Sequence, residues 1–422
     1  MTQIAVIGTG YVGLTTGACL ASLGHEVCCA DVNEIKIQRL LKGEVPIVEE
    51  GLDRLVADGV ASGSLTFVLG AENAVRTTEF VFLCVPTPEG ADGQADLSYV
   101  ETAAEQIRGL LPRDSIVVNK STVPVGSTRV VERVLRRADV SVVSNPEFLR
   151  EGTAVHDFLN PDRVVVGADN LEAAERVGRL YESLGAPILV TDAASAETIK
   201  YAANAFLATK ISFVNAIAAI CEGVGADVRD VMRGIGYDRR IGKEFLRPGP
   251  GWGGSCFPKD TLALLKIAER ADYKFDLLQG VVDVNLQQFD RMASRISDAA
   301  GPGGTVAVWG LTFKALTDDL RDSPSLEIID RLLTKGHKIR AYDPTVNGSL
   351  KGYPSVAICA SEVEACRGSD ALAILTEWEN FRWIDPAEVG GLVSFRKVVD
   401  TRNLLDRSAW RNAGFTYQGV GR

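Results

Sequence analysis

A cysteine that follows a glycine-rich segment is the strongest candidate for a reactive group in this sequence. Cys256 comes after four glycines, at positions 249, 251, 253 and 254, where the backbone can approach a ligand closely. Pro258 suits the first turn of a helix, so Cys256 would lie near a helix N-terminus with Lys259 close by. Both features favour a nucleophilic thiolate, and Asp260 would orient a water. The alternative is a buried cysteine after a flexible turn.

Two further pairs of side chains have types that suit oxyanion stabilisation and proton transfer. Lys200 and Asn204 are four residues apart on an otherwise apolar helix, which suits the stabilisation of an oxyanion. Glu147 and Glu151 are also four apart, in a segment that follows a strand, where open α/β sheets bind ligands. One would be a general base and the other a cofactor contact. The alternatives are a snorkelling lysine with a hydrogen-bonded amide, and acids at a loop or helix start.

The start of the chain has the pattern of a dinucleotide-binding turn. Gly8, Gly10 and Gly13 follow an apolar strand and open a helix, which allows a tight turn and a close approach to a pyrophosphate. Asp31, at the end of the next strand, would accept hydrogen bonds from a ribose 2′-hydroxyl. An acid there repels a 2′-phosphate, so NAD is favoured over NADP, although the nearby Lys36 softens that preference.

Histidine chemistry is a poor explanation for this sequence, which contains three histidines. His25 and His337 occupy equivalent places in an internal repeat, so we expect structural roles for both. His156 stands in a segment that we interpret as irregular.

The elements that must position these groups alternate in type along the chain. Strands are predicted at 4–7, 27–30, 80–85, 116–119, 141–144 and 163–167, which indicates a parallel sheet with helices on both faces. Helices are predicted from about 196 past 222, over 258–271 and over 275–299, with no strand between about 196 and 300. The Gly/Pro cluster at 301–304 resembles a linker, after which strand–helix alternation resumes.

The two alternating regions resemble each other. Residues 23–27 and 335–339 share a Gly-His pair, and an acid follows seven residues after the glycine in each, at Asp31 and Asp343. Each segment comes after a strand, a glycine (Gly8 or Gly310) and a helix. We therefore infer two Rossmann-like units that flank a helical middle region; chance similarity is the alternative.

Composition excludes several classes of protein. The chain has 422 residues, 46% of them apolar and 24% charged, as in folded soluble proteins of two or three domains. Its net charge of −10 argues against a nucleic-acid surface. The eight cysteines form no CxxC pair, and neither a signal peptide nor a membrane span is indicated, so we expect reduced thiols and a cytoplasmic protein without a metal.

Taken together, these segments resemble the UDP-glucose/GDP-mannose dehydrogenase family over nearly the whole chain. The resemblance depends on GTGYVG at 8–13, VPTP at 85–88, KSTVPVG at 120–126, NPEFLREG at 145–152, KYAANAFLATKISF at 200–213, RIGKEFLRPGPGWGGSCFPKD at 240–260, FKALTDDLRDSPS at 313–325 and LTEWENF at 375–381. Trp252 departs from the pattern, because Tyr or Phe is commoner there, and so does Ala315-Leu316, where Pro-Asn is frequent.

The resemblance implies an α/β fold in which two Rossmann-like, doubly wound domains are joined by a central helical domain with a long dimerisation helix. The boundaries would be 1–195 for NAD binding, 196–300 for dimerisation and catalysis, and 301–422 for UDP-sugar binding. It also implies an NAD-dependent four-electron oxidation of a sugar C6 alcohol, with UDP-glucose as the substrate and UDP-glucuronate as the product.

The resemblance further implies roles for individual residues. The catalytic residues would be Cys256 as nucleophile, Lys200 and Asn204 as oxyanion stabilisers, and Thr122, Glu147 and Asp260 for water and protons. The NAD-binding residues would be Gly8, Gly10, Tyr11, Val12, Gly13, Asp31, Lys36, Thr87, Thr122, Glu151, Lys259 and Arg321. The substrate would contact Phe148, Leu149, Arg150, Glu151, Lys200, Asn204, Phe245, Leu246, Arg247, Pro248, Gly249, Gly253, Lys314 and Arg402, and Arg240 would reach the sugar nucleotide in the neighbouring subunit of a homodimer.

Other functions remain open from the sequence. Relatives that oxidise 2-acetamido sugars carry His before the cysteine, where this chain has Ser255. GDP-mannose dehydrogenases differ in the stretch that precedes GGSC, so the segment favours UDP-glucose. A non-catalytic NAD-binding regulator, or a two-electron β-hydroxyacid or 6-phosphogluconate-type dehydrogenase, is the alternative from another class.

Overall fold

The computed structural model describes residues 2–88, 90 and 95–422. The chain divides into two compact units, Met1–Ala203 with Leu262–Ala271, and Asn204–Thr261 with Asp272–Arg422. The division into three domains at 195 and 300 stays a prediction.

The first unit is built on a largely parallel sheet of eight strands. The strands are β1 (Gln3–Ile7), β2 (Glu26–Asp31), β3 (Leu65–Leu69), β4 (Phe80–Leu83), β5 (Ile116–Asn119), β6 (Ser141–Ser144), β7 (Val164–Gly167) and β8 (Ile188–Thr191). Their order is β3-β2-β1-β4-β5-β6-β7-β8, with β6 and β7 antiparallel. Strands β4, β5 and β7 are buried at every position, as expected for a sheet covered on both faces.

Within the part of this unit that the structure describes, seven α-helices belong wholly to it and cover the sheet. They are α1 (Tyr11–Ser22), α2 (Glu34–Leu41), α3 (Leu52–Ser62), α4 (Ser98–Ile107), α5 (Ser127–Leu135), α6 (Ala154–Leu159) and α7 (Leu171–Arg179). Two apolar cores, one on each sheet face, hold the layers together. His156 lies in α6, so our interpretation of that segment as irregular was wrong. The sequence gives no strong periodic signal there because the helix is only six residues long.

Two edge strands were missed by the sequence analysis. β3 alternates buried and exposed positions, and no residue of β8 is fully buried. Strands at the edges of a sheet lack the continuous apolar run that marks the central strands, so they resemble loops in the sequence.

The middle of the chain is helical, as predicted. The helices are α8 (Ala193–Val224), α9 (Val228–Gly236), α10 (Phe257–Arg270) and α11 (Asp276–Ala300), and no strand occurs between 196 and 300, all of which the structure describes. The sequence analysis did not identify α9. Length and composition alone would allow α8 to cross a membrane. However, Val214, Ala218 and Cys221 of this helix pack in the core of the second unit, as in the core helix of a folded domain.

The second sheet repeats the order of the first. Its strands are β9 (Thr305–Trp309), β10 (Lys338–Tyr342), β11 (Val356–Ile358), β12 (Ala371–Ile374), β13 (Lys397–Asp400) and β14 (Thr416–Gly419). They are parallel, in the order β11-β10-β9-β12-β13-β14, and α12 (Pro324–Thr334), α13 (Glu362–Cys366), α14 (Pro386–Gly390) and α15 (Arg407–Asn412) accompany them. The equivalence of β1-β2 and β9-β10 confirms the predicted pair of Rossmann-like units.

Candidate active site

The glycine turn after β1 has the geometry of an anion-binding helix start. Gly8 has φ of +97°, and a Cβ there would lie 2.6 Å from the Cys84 carbonyl oxygen. A Cβ on Gly13 would lie 1.9 Å from the Gly8 carbonyl oxygen, so both positions require glycine. Among the described residues, no atom lies within 4 Å of a Cβ built on Gly10, which caps α1 without a side-chain hydrogen bond. The first N–H groups of α1 are thus available to a phosphate.

Asp31 ends β2 beside this turn and is ionised. Its Oδ2 accepts hydrogen bonds from the Thr9 N–H at 2.9 Å, the Thr9 hydroxyl at 2.7 Å and the Lys36 ammonium at 3.0 Å. Burial opposes ionisation, but the bonds from Thr9 and those from Asn33 and Lys36 outweigh it and lower the pKa of Asp31 to about 2. Thr9 was not identified from the sequence; its position between two glycines of the turn was the available signal.

The equivalent acid in the second unit is fully enclosed. Asp343 is 1% exposed, and its Oδ2 accepts from the Leu311 and Thr312 N–H groups, the Thr312 hydroxyl and the Trp378 indole N–H. Its Oδ1 accepts from the N–H and hydroxyl of Thr345. The repeated carboxylate therefore stabilises its own turn.

Two predicted cofactor residues meet where strands of the first sheet end. The Thr87 hydroxyl donates to the Thr122 carbonyl oxygen at 2.9 Å. The segment that contains Thr122 leads into α5, whose start is held by Glu197 of α8. The Glu197 carboxylate accepts from Gly126 N at 2.6 Å and from the N–H and hydroxyl of Thr128. Glu197 is 2% exposed and was missed by the sequence analysis.

A buried network lies behind these strand ends. The Lys120 ammonium donates to Asn145 Oδ1 at 3.1 Å and to the Tyr181 hydroxyl at 3.4 Å, and that hydroxyl donates to Asn145 Oδ1 at 2.7 Å. Lys120 and Asn145 directly follow β5 and β6, so the network joins the two segments that carry Thr122 and Glu147. Burial lowers the pKa of Lys120 to about 8.

Glu147 and Lys200 form a buried ion pair in the first unit. The Lys200 ammonium donates to the Glu147 carboxylate at 2.8 Å and to its carbonyl oxygen at 2.6 Å. Burial opposes ionisation, but the Lys200 charge outweighs it and holds the pKa of Glu147 below its usual value. Leu149 N also donates to this carboxylate, and the Lys200 ammonium lies 5.4 Å from the centre of the Phe148 ring.

The rest of the 145–152 segment is tied to the glycine turn. The Gly152 N–H, which follows Glu151, donates to the Tyr11 hydroxyl and to the Glu49 carboxylate. Arg150 is exposed, and its guanidinium pairs with Asp157. In the first unit, Gly152, which follows Glu151, therefore contacts Tyr11, the first residue of α1.

Cys256 lies at the start of a helix, as predicted. It immediately precedes α10, its carbonyl oxygen accepts from Asp260 N at 2.9 Å, and its Sγ lies 3.6 Å from the Ser255 hydroxyl. The side chain is half-buried, whereas six of the other seven cysteines are fully buried in the cores and Cys28 shares its intermediate burial. A half-buried thiol at a helix N-terminus has the setting of a reactive cysteine.

The second unit places two further predicted groups next to Cys256 in sequence and joins them to α8. Asn204 Nδ2 donates to Asp260 Oδ2 at 2.6 Å, and the Lys259 ammonium donates to Asp260 Oδ1 at 2.8 Å. Asp260 is completely buried. The carboxylate is thus held between an amide and an ammonium, and Lys259 is oriented toward Asp260.

The glycine-rich loop, which we define as residues 249–254, is packed against protein. Cβ atoms built on Gly251, Gly253 and Gly254 would lie 2.3 Å from Phe289, 1.9 Å from the Asp322 carbonyl oxygen and 2.8 Å from Phe313. The sequence analysis attributed these glycines to close approach of a ligand, and at these three positions the approach is to protein atoms. Gly249 differs, because a Cβ there would lie 3.6 Å from the Arg402 guanidinium.

The remaining predicted substrate and cofactor residues of the second unit have varied surroundings. Arg402 donates to the Leu375 and Phe313 carbonyl oxygens and pairs with Glu377, while the Lys314 ammonium lies 5.5 Å from the Phe313 ring centre. Arg240 and Arg321 are exposed and pair with Asp238 and Asp319. Phe245 has φ of +60°, Leu246 is buried in the core, Arg247 is exposed and Pro248 is half-buried.

Within the described residues, no group of three or more His, Cys, Asp or Glu side chains is arranged to hold a metal ion. Each unit instead holds its own set of candidate groups. The first unit holds the glycine turn, Asp31, Thr122 and the Glu147–Lys200 pair. The second unit holds Asn204, Asp260, Cys256 and the glycine-rich loop with Arg402.

Three family models match consecutive parts of the chain. The NAD-binding domain of the UDP-glucose/GDP-mannose dehydrogenase family matches residues 2–185. The central domain of that family matches residues 194–287, and its UDP-binding domain matches residues 307–407.

Named relatives match over nearly all of their length. The chain is 46% identical to the UDP-glucose 6-dehydrogenase of Rhizobium meliloti, with 100% of this chain and 99% of the relative covered. It is 43% identical to a UDP-glucose 6-dehydrogenase of Bacillus subtilis, with coverages of 100% and 94%. Among solved structures, a UDP-glucose dehydrogenase from Pyrobaculum islandicum superimposes with a TM-score of 0.90 at 36% identity, over 100% of this chain and 98% of that one.

Proposed function

The chain belongs to the UDP-glucose/GDP-mannose dehydrogenase family, and from this premise we propose that it oxidises UDP-glucose to UDP-glucuronate with NAD⁺. The observation that carries the proposal is Cys256, a half-buried thiol at a helix start, in a chain whose relatives are named for this substrate.

The residues of the first unit fit NAD. The open position at Gly10 and the uncapped start of α1 suit a pyrophosphate, and the ionised Asp31 suits a ribose hydroxyl. Bound NAD⁺ supplies the hydride acceptor for both oxidation steps. The other proposed cofactor contacts are Tyr11, Val12, Lys36, Thr87, Thr122, Glu151, Lys259 and Arg321.

The electron count explains why this reaction needs a cysteine. One alcohol, two NAD⁺ and one water give one carboxylate, two NADH and three protons. Loss of the first hydride leaves an aldehyde, which cannot lose a second hydride until a nucleophile adds to its carbon. The Cys256 thiolate forms a carbon–sulfur bond and moves the carbonyl electron pair onto oxygen, giving a thiohemiacetal. Loss of the second hydride gives a thioester, which water cleaves to release the carboxylate and the thiol.

Two buried donor–carboxylate pairs, Lys200 with Glu147 and Asn204 with Asp260, suit the other steps. Asn204 and Lys200 are donors for the oxyanion that forms when the thiolate, and later water, adds to the carbonyl carbon. Glu147 stays ionised beside Lys200, and Asp260 accepts hydrogen bonds from Asn204 and Lys259, so both carboxylates can orient water and take up its proton. Lys200 with Glu147, and Asn204 with Asp260, thus each form a pair of one donor and one carboxylate.

The substrate is a UDP-sugar. The proposed contacts are Phe148, Leu149, Arg150, Glu151, Phe245, Leu246, Arg247, Pro248, Gly249, Gly253, Lys314 and Arg402. The buried side chain of Leu246 supports a contact through its backbone. The closeness of Gly249 to the Arg402 guanidinium supports a common role for these two residues.

A homodimer built on α8 completes the proposal. Phe206, Phe213 and Ile220 are 65%, 52% and 58% exposed. Their spacing of seven residues puts them on one face of α8, where a second copy of the helix would cover them. Arg240 of one subunit would then reach the sugar nucleotide held by the other.

The experiment that tests this function is the stoichiometry of NAD⁺ reduction. With limiting UDP-glucose and excess NAD⁺, absorbance at the nicotinamide band should report two NADH per sugar. One NADH per sugar, with full activity after thiol alkylation, would identify a two-electron dehydrogenase. Binding of NAD⁺ without reduction would identify a regulator.

A further inference from the structure

The glycine-rich loop contains buried backbone groups that no helix or strand satisfies. None of residues 249–254 belongs to a regular element, and only Gly253 among them is not fully buried. A buried N–H or carbonyl group without a partner is costly, so the partners must come from other loops or from side chains. The Gly254 N–H donates to the Asp322 carbonyl oxygen at 3.2 Å, and side chains satisfy Gly249 and Trp252. Those side chains define where the loop lies.

One amide satisfies both backbone groups of Trp252. Asn285 Oδ1 accepts from Trp252 N at 2.8 Å, and Asn285 Nδ2 donates to the Trp252 carbonyl oxygen at 2.9 Å. Asn285 lies on α11 and is 4% exposed. A side-chain amide presents a donor and an acceptor in one plane, so it complements the peptide groups of one residue as a neighbouring strand would.

The ring of Trp252 is fixed independently. Its indole N–H donates to the Ser212 hydroxyl at 2.8 Å, and this hydroxyl donates to the Val281 carbonyl oxygen at 2.8 Å. Ser212 and Trp252 are 3% and 5% exposed. Phenylalanine carries no such donor, and a tyrosine hydroxyl would lie at a different place. Tryptophan is therefore the aromatic residue that makes this bond.

The first residue of the loop is held in the same way. Gly249 N donates to Asn215 Oδ1 at 2.9 Å, and Gln288 Nε2 donates to the Gly249 carbonyl oxygen at 2.7 Å. Asn215 and Gln288 are 1% and 4% exposed. Gly249 and Trp252 are thus both held by buried polar side chains from α8 and α11.

We propose that Ser212, Asn285 and Trp252 are positioning residues that set the affinity of the enzyme for its nucleotide sugar. They fix the backbone immediately before Gly253, and Cys256 follows three residues later. The inference rests on the proposed function, in which Gly249 and Gly253 contact the substrate and Cys256 attacks it. A loop that has lost one of these bonds samples further arrangements, and each arrangement that does not fit the sugar weakens binding.

The test is a pair of single variants and their double variant. Ser212→Ala and Trp252→Phe each remove one partner of the same hydrogen bond. We expect each to raise the KM for UDP-glucose by about three- to tenfold, since a buried hydrogen bond contributes on this scale. The KM for NAD⁺ should stay unchanged, and the double variant should resemble the single variants because both lose one bond.

A matched control removes an equivalent bond elsewhere in the same unit. The Ser297 hydroxyl lies 2.7 Å from the ring Nε2 of His337, away from the glycine-rich loop in sequence. Ser297→Ala should lower the melting temperature as Ser212→Ala does, yet leave the KM for UDP-glucose unchanged. If Ser212 only stabilised the fold, Ser212→Ala and Ser297→Ala would both lower the melting temperature, and neither would change the KM for UDP-glucose.

Asn285→Asp and Asn285→Ala extend the test to the backbone clamp. The aspartate keeps the acceptor for Trp252 N but places an oxygen against the Trp252 carbonyl, so it should raise the KM at least as much as alanine. If these variants do not fold, the KM values of the Ser212 and Trp252 variants still test whether the loop positions the substrate. Unchanged KM values in folded Ser212→Ala and Trp252→Phe proteins would overturn the inference. A wild-type protein that reduces no NAD⁺ with UDP-glucose would overturn the proposed function instead.

Discussion

Lys200 donates two hydrogen bonds to Glu147, one to the backbone carbonyl oxygen at 2.6 Å and one to the carboxylate at 2.8 Å. The two side chains are 4% and 5% exposed, so neither charge has water as a substitute partner. Lys200 thereby fixes the backbone of the segment that carries Glu147 as well as its ionisation state.

Glu147→Gln should destabilise the protein, because it removes the carboxylate charge that the buried Lys200 ammonium contacts at 2.8 Å. We expect the free energy of unfolding to fall by about 3–5 kcal/mol. The double variant Glu147→Gln/Lys200→Met should recover part of that loss while remaining inactive. Urea unfolding of the single and double variants measures this, and strictly additive losses would contradict the coupling of the pair.

Cys256→Ser should bind UDP-glucose and NAD⁺ normally but fail to complete the reaction. A serine hydroxyl is a far weaker nucleophile than a thiolate, so the second oxidation stalls at an aldehyde-level or trapped state. Full turnover by Cys256→Ser, followed as NADH per sugar, would refute the role of the thiol. Cys28→Ser is the matched control, because Cys28 is also half-buried but lies in β2, and it should retain activity.

Asp31→Ala should shift the cofactor preference toward NADP⁺. The variant loses the acceptor for a ribose hydroxyl and frees the Lys36 ammonium, now 3.0 Å from Asp31, for a 2′-phosphate. The ratio of kcat/KM for NADP⁺ to that for NAD⁺ should rise about 10- to 100-fold, since hydrogen bonds to charged groups contribute on that scale. Asp53→Asn changes an exposed acid on α3 and should leave the ratio as it is. An unchanged ratio in Asp31→Ala would contradict the assignment.

Lys120 should make stability depend on pH in the alkaline range. Burial lowers its pKa from 10.5 to about 8, so the unfolded chain binds more protons than the folded one between these values. The free energy of unfolding of the wild type should therefore rise, relative to Lys120→Met, as the pH increases from about 8 toward 10.5. Urea unfolding at pH 7 and at pH 9.5 measures the difference, and a constant difference would show that Lys120 titrates normally.

Phe213→Glu should separate the proposed dimer. A carboxylate in the middle of the apolar face of α8 would be buried without a partner on association. Light scattering after size exclusion should give the mass of a monomer for the variant and of a dimer for the wild type. Leu277→Glu, at another exposed apolar position on α11, is the control and should leave the mass unchanged. A wild-type monomer would contradict the proposal directly.

The sequence predicts the parts of this fold that depend on local patterns. The glycine turn, the central strands and the helix start after Cys256 follow from spacing and residue type alone, and the structure has all of them. The paired acids of the repeat predicted two similar sheets, and the strand orders agree.

The contacts that tie distant segments together could not be predicted in this way. Thr9, Glu197 and Asn285 each hold a proposed site segment, but nothing in their own neighbourhood marks them as polar clamps. The position of Asn285 on its helix does not distinguish it from other buried polar residues, and its partner Trp252 is 33 residues away in the sequence. Such roles depend on which backbone groups are left unsatisfied after packing, which only the folded chain determines.

Asp343 occupies in the second Rossmann-like unit the place that Asp31 occupies in the first, but it is enclosed by protein. With six donors from its own unit on its two oxygens, this carboxylate has no lone pair left with which to recognise a sugar diol. In the second unit the equivalent carboxylate points inward and stabilises its own turn instead. Grafting the Gly8–Gly13 loop onto the second unit would therefore not create another dinucleotide site unless Trp378 and Thr345 were also replaced.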